Sequence, residues 1–224
     1  MLTSVDYTCF GQVTLLIGPN GSGKSTALEG LSFLGGKRNS TLEQVVSMPV
    51  ENCAPCTEAS VASHWSLASG MPTIQVRWEP KLSGDVRCLE YGNDSDQWRD
   101  AQAAISGIRT FSLEPGRIAE PCMIGPSPEM DMSGYGLAAV LDHMHHHARD
   151  RFEALQRELP FWLSEFSRVV LTVPAAGRKA IALRRVAGGS DIPAHQLSHG
   201  TLLALALLTL SFHPDPPTVL CLEE

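Results

Sequence analysis

Residues 18–26 read Gly18-Pro19-Asn20-Gly21-Ser22-Gly23-Lys24-Ser25-Thr26, "GPNGSGKST". They satisfy G-x-x-x-x-G-K-[ST], with Gly18, Gly23, Lys24 and Ser25 at the required positions. The spacing has a mechanical reason. Glycines let backbone N–H groups curl around a phosphate, and the helix that follows adds the partial positive charge of its N-terminus. Lys24 then reaches the outer phosphates and the Ser25 hydroxyl is a ligand for magnesium. The flanks agree with the motif. Val13-Thr14-Leu15-Leu16-Ile17 is an apolar run without polar alternation, which predicts a strand buried on both faces. After the loop, Ala27, Leu28, Leu31 and Leu34 recur at helical spacing until Gly35-Gly36. The chain binds a nucleoside triphosphate or descends from one that did.

Composition sets the outer bounds. The 224 residues are 43% hydrophobic and 18% charged, with a net charge of −7, which suits a globular domain and gives no general field for nucleic acid or anionic membrane. The longest apolar run, Leu202 to Leu208, is far short of the ~20 residues that span a bilayer. "MLTSVDYTCFGQ" has no secretory pattern, and Cys9, Cys53, Cys56, Cys88, Cys122 and Cys221 are scattered. The expectation is a cytoplasmic protein with reduced thiols and no membrane partner.

The tail carries a second pattern. Leu197-Ser198-His199-Gly200-Thr201, "LSHGT", opens a helix that is apolar almost all round, with Ser198 as its expected N-cap. A proline-rich break and the strand "TVLCL" follow, ending in Glu223 and Glu224.

In this order the segments "LLIGPNGSGKST", "LSHGT" and "PTVLCLEE" resemble the ABC-type ATPases, specifically the RecF-like and OLD-like branch labelled AAA family ATPase. "GYGLAAVLDHM" and the hairpin before "LSHGT" are weaker echoes. The resemblance implies an α/β P-loop NTPase core with an antiparallel β-subdomain and a helical lobe. It assigns 1–36 and 190–224 to the nucleotide-binding core, 37–119 to the β-subdomain and loops, 120–166 to the helical lobe and 167–189 to a hairpin, all within a single ATPase domain. It further implies that Gly18, Pro19, Asn20, Gly21, Ser22, Gly23, Lys24, Ser25 and Thr26 hold ATP, that Ser25 and Glu223 hold Mg²⁺, and that Glu224 polarises the attacking water. Leu197, Ser198, His199, Gly200 and Thr201 would act in trans on the γ-phosphate of a partner subunit, in a homodimer that ATP holds closed. DNA repair or anti-phage defence, with DNA or an effector protein as partner, comes from the same analogy. In the family a turn, a helix and a γ-phosphate-sensing histidine follow the second glutamate. The resemblance therefore implies a head with the C-terminal part of its core missing. The rival expectation is a nucleotide-binding fragment without turnover; a P-loop kinase is disfavoured by "LSHGT".

Between the ends the patterns are mixed. Residues 37–72 read as loops with short helical pieces, whereas Thr73–Glu79 and Asp85–Tyr91 alternate as antiparallel strands. A proline-rich linker lies near 120–134. Leu137, Val140, Leu141, Met144, Ala148, Phe152, Leu155 and Leu159 form one continuous helical stripe, with Pro160 at its expected end. "RVVLTV" and "KAIALRRV" then read as a hairpin, and its basic residues Arg178, Lys179, Arg184 and Arg185 read as a solvated face. His143, His145, His146 and His147 read as a solvated helix face able to take nickel adventitiously. Cys53 and Cys56, with His64 as a possible third ligand, read as a thiol-bearing loop, and Trp65, Trp78, Trp98 and Trp162 as packing residues. Gln44 and Gln75 are unsupported candidates for the glutamine that links the magnesium site to the helical lobe.

Overall fold

Five leucines and a methionine organise the helical part of the molecule. In the computed structural model Leu137, Leu141 and Met144 of α2 (Leu137–His147) and Leu155 and Leu159 of α3 (Arg149–Trp162) are wholly buried, and Leu205 of α4 (His199–Phe212) joins them. Each such side chain contributes roughly 2 kcal/mol of burial. The described residues are 14–19, 24, 25, 28 and 106–223, with the backbone of the strands at 61–65, 74–80 and 86–91. They fall in two units, Met1–Thr110 with Thr218–Cys221, and Phe111–Pro217 with Leu222–Glu224.

In the second unit the stripe is not one helix. It breaks at Ala148 (φ −134°, ψ 54°), whose N–H closes α2 on the Met144 carbonyl while its own carbonyl accepts from Arg151 and Phe152 to open α3. The stripe survives the break because both helices turn their apolar residues into the same core. Pro160 lies inside α3 rather than ending it. In the last turn a missing N–H removes only one bond, and Leu163 N–H still caps the Leu159 carbonyl at 2.8 Å.

Those helices pack beside a sheet. Strands β6 (Phe166–Ala175) and β7 (Arg178–Arg185) form an antiparallel hairpin, with β5 (Cys122–Met123) and β8 (Asp191–Pro193) both pairing with β7. Phe166 and Val169 of β6 and Ile181 and Leu183 of β7 supply its buried side. The short helix α1 (Pro115–Ile118) contributes Ile118.

The segment read as a linker is an ordered loop. The Asp131 carboxylate accepts from the backbone of Ser133 and Tyr135 and from the Ser133 hydroxyl, at 2.6–3.0 Å. Gly134 and Gly136 flank Tyr135 with φ of 91° and 98°. A Cβ at Gly134 would stand 2.5 Å from Ile118 Cγ1, so geometry and space both require glycine there.

In the first unit β1 (Val61–Trp65), β2 (Ile74–Pro80) and β3 (Val86–Tyr91) form an antiparallel meander. The two alternating segments are strands as expected, but β1 lies where loops and helical pieces were expected. "VASHW" carries no clean alternation, and its pairing with β2 through Ser63 and Val76 supplies what its own pattern lacks. The strand β4 (Ile108–Phe111) was also not anticipated; at four residues it is too short to display a period. It pairs with β9 (Val219–Leu222), the strand read from the tail. Thr218 N–H bonds the Gly107 carbonyl and Glu223 N–H the Phe111 carbonyl, so the two run parallel. The two segments meet closely at Gly107, where a Cβ would lie 2.5 Å from Thr218 Oγ1.

The expectation of a strand at Thr14–Ile17 is not met. These residues carry no strand pairing, and Leu15 and Ile17 are 78% and 90% exposed. An apolar run becomes a buried strand only where neighbours complete its ladder on both edges and both faces.

Candidate functional site

The phosphate loop belongs to the first unit. Gly18 and Pro19 are exposed backbone, and the chain is helical at Lys24 and Ser25. The Lys24 ammonium donates to the Gly18 carbonyl at 2.8 Å and to the Pro19 carbonyl at 2.9 Å, folding its side chain back onto the start of the loop. Two neutral carbonyls are replaceable partners for an ammonium. A phosphate oxygen carries full charge and forms the stronger, charge-assisted bond. Ser25 is exposed, with its hydroxyl available to a cation. This donor set fits a nucleoside triphosphate with magnesium. Asn20, Gly21, Ser22, Gly23 and Thr26 lie outside the described residues, as do Gln44, Cys53 and Cys56.

The "LSHGT" turn belongs to the second unit, at the N-terminus of α4. Ser198 is the N-cap: its Oγ accepts from the Thr201 N–H at 3.1 Å and lies 2.8 Å from the Thr201 Oγ1. Thr201 is thereby buried and Leu197 packs against the core, while His199 and Gly200 face outward. A Cβ at Gly200 would meet nothing within 4 Å. The motif divides into residues that build the turn, namely Leu197, Ser198 and Thr201, and two that it displays.

Glu223 is half-buried just past β9, its backbone held by Phe111. Cys221 is buried on the strand's inner side, while Leu220 and Leu222 are exposed. Glu224 lies outside the described residues.

Three groups depart from their sequence readings. Lys179 is not a solvated cation: its Nζ lies 2.7 Å from Oδ1 of Asp142, whose side chain is 8% exposed, as a close ion pair rather than an aligned hydrogen bond. Asp142 itself reads in sequence as part of a helix face with His146 and Asp150. Its burial became visible only once β7 lay across α2. Arg184 is likewise engaged, with two bonds to Asp191 at 2.6 and 2.8 Å, and that guanidinium holds the Asp191 carboxyl below the usual carboxylate range. Trp162 is 53% exposed beside Phe161 at 83%, so it is not a packing residue. The Cys122 thiol is pushed up by burial, against the Ala139 N–H that donates to its Sγ at 3.1 Å. Among the described residues no group of three or more His, Cys, Asp or Glu is placed to hold a metal ion, and no helix is long and apolar enough to cross a membrane.

Comparison with solved structures returns a crystal structure of an Smc head bound to the C-winged helix domain of ScpA, with a TM-score of 0.51 at 17% identity over 88% of this chain and 68% of that one. This chain shares the fold of that head. An SMC head domain from Thermotoga maritima also matches, with a TM-score of 0.41 at 19% identity over 88% of this chain and 63% of that one. The family model described as "AAA domain, putative AbiEii toxin, Type IV TA system" matches residues 13–58, the segment that contains the phosphate loop. No curated protein matches.

Proposed function

We propose that this ATPase head binds ATP and hydrolyses it with Mg²⁺. The observation that carries the reading is the Lys24 ammonium held by the Gly18 and Pro19 carbonyls at the start of the loop. Lys24 and the loop amides of residues 20–26 would hold the β- and γ-phosphates, and Ser25 with Glu223 would hold the metal, directly or through water. Glu224 is the general base that orients the attacking water. A bound metal would supply charge neutralisation to the transferring phosphoryl group, and the loop would position that group. His199 and Gly200, displayed by the Ser198–Thr201 cap, close on the nucleotide of a partner subunit, so ATP joins two heads. Service in DNA repair or phage defence, with DNA or an effector as partner, rests on the resemblance. The family whose model matches is described as a putative toxin of a toxin–antitoxin system, and the Smc head is bound to a protein partner.

ATP binding and phosphate release test this. Lys24→Ala is expected to abolish binding, and Glu224→Gln to abolish release while binding persists. Release that survives Glu224→Gln overturns the assignment of the base. A second reading is nucleotide binding without turnover. Binding without release in the unaltered chain supports it.

A further inference from the structure

The C-terminal end of α3 leaves two aromatic side chains in water. Phe161 and Trp162 are 83% and 53% exposed, although Leu159 just before them is wholly buried. At about 150–250 Å² per aromatic side chain, the pair presents roughly 300 Å² of apolar surface. Exposed Val186 borders the same end, because its N–H bonds the carbonyl of Glu165 in the α3–β6 connection at 3.0 Å. Apolar surface of this size with a polar rim marks an interaction site. Charges of both signs form that rim. Arg157 and Glu158 stand one turn before Phe161 and Trp162, at i, i+4 on α3. Glu165 follows in the connection, and Arg185 lies opposite Phe166 in the β6–β7 register. All four are exposed, and among the described residues no ion pair or side-chain hydrogen bond engages any of them.

We propose that this face is a homodimer interface, on which two copies of the chain meet across a two-fold axis without nucleotide. A two-fold axis sets a surface against itself, so the surface must be complementary to itself. Here the apolar centre meets its own copy, and two arginines and two glutamates let each cation face a carboxylate of the partner. The other exposed apolar cluster lacks this property. Met123, Ile124 and Val173 gather at the tip of the β6–β7 hairpin, where Met123 pairs with Arg178. Arg178 is the unpaired charge there, so two copies would set arginine near arginine. Area points the same way. Four long charged side chains around the aromatic centre bring the α3 face toward the ~800 Å² that each partner of a standard interface buries. Aromatic residues and arginine are also the types enriched in such contacts. The contact uses none of the residues assigned to ATP, so it is a second pairing beyond the nucleotide-held one.

The test is sedimentation equilibrium of the full chain without nucleotide, where a concentration-dependent dimer is expected. Phe161→Ser and Trp162→Ser should each raise its dissociation constant at least tenfold. Both positions are exposed, so circular dichroism of the variants should match the unaltered chain. Charge reversal supplies the second arm. Glu158→Arg with Glu165→Arg gives an all-positive rim, and Arg157→Glu with Arg185→Glu an all-negative one. Each variant alone should be monomeric, and an equimolar mixture of the two should restore a dimer. A chain that stays monomeric at every concentration overturns the proposal. So does association unchanged by Phe161→Ser and Trp162→Ser, or a mixture of the two charge variants that fails to pair. A dimer that forms only with ATP also overturns it, while leaving the ATPase reading intact.

Discussion

The Gln156 side chain meets the backbone of Val169 with two hydrogen bonds, accepting from the Val169 N–H at 2.8 Å and donating to the Val169 carbonyl at 3.0 Å. A side-chain amide of α3 thus stands where a neighbouring strand would stand, on the outer edge of β6. Edge strands that present open N–H and C=O groups invite pairing with another chain, and a covering helix is one remedy. Gln156→Ala leaves both backbone groups half-buried without partners, an expected loss of about 1–3 kcal/mol in urea unfolding. A rise in association measured by light scattering should accompany it. Gln156→Glu should not rescue, since a carboxylate cannot donate to the Val169 carbonyl.

Asp142 and Lys179 tie α2 to β7 in the same core. Removing one member strands the other charge in a largely dry place, so Lys179→Met and Asp142→Asn should each destabilise by roughly 3 kcal/mol in urea unfolding. The double variant Asp142→Leu with Lys179→Met should recover much of that loss. Equal loss in the double and single variants would mean that the pair contributes only through packing.

At the signature turn, structure and activity should separate. Ser198→Ala removes the N-cap of α4 and should cost about 1 kcal/mol in thermal or urea unfolding. Gly200→Ala meets open space and should leave the fold intact. If the backbone there approaches a partner's nucleotide, the same substitution reduces ATP hydrolysis several-fold while ATP binding by the phosphate loop persists. Unchanged hydrolysis in Gly200→Ala would remove the role of that turn.

The Arg184–Asp191 pair predicts an acid limb. Its folded carboxyl titrates below the ordinary carboxylate value because of the Arg184 bonds first, with Arg168 adding to the effect. A depressed folded value means that the pair's stabilisation is present above the unfolded carboxylate value. It is lost as pH falls through the lower, folded one. Unfolding measured from pH 5 downward should therefore show a shallower acid loss in Asp191→Asn than in the unaltered chain. The difference should be small and shrink with added salt, because the pair is solvent-exposed.

The legible features were those encoded by neighbours in the chain. The Ser198 cap, the β6–β7 hairpin, the strand at Val219–Leu222 and the two alternating strands at 74–80 and 86–91 all follow from spacing and turn chemistry that act over a few residues. The strands at Val61–Trp65 and Ile108–Phe111 were not legible, since their partners, not their own patterns, make them strands. The stripe from Leu137 to Leu159 marked the buried faces correctly and concealed the break at Ala148, because two helices feeding one core keep the same apolar set.

By itself the sequence marked out the phosphate-loop motif, since G-x-x-x-x-G-K-[ST] is a local statement about glycine freedom, a lysine's reach and a helix start. It likewise determined the signature turn and the acid-ended strand as candidates. Tertiary structure decided which charged and aromatic residues are engaged and which are displayed. Lys179 and Asp142 were drawn inward, Trp162 was left outside, and His145 came edge-on to Phe152 while His143 stacked on His147. The physical reason is that burial, ion pairing and ring stacking depend on groups brought close by folding, and no spacing along the chain records those distances.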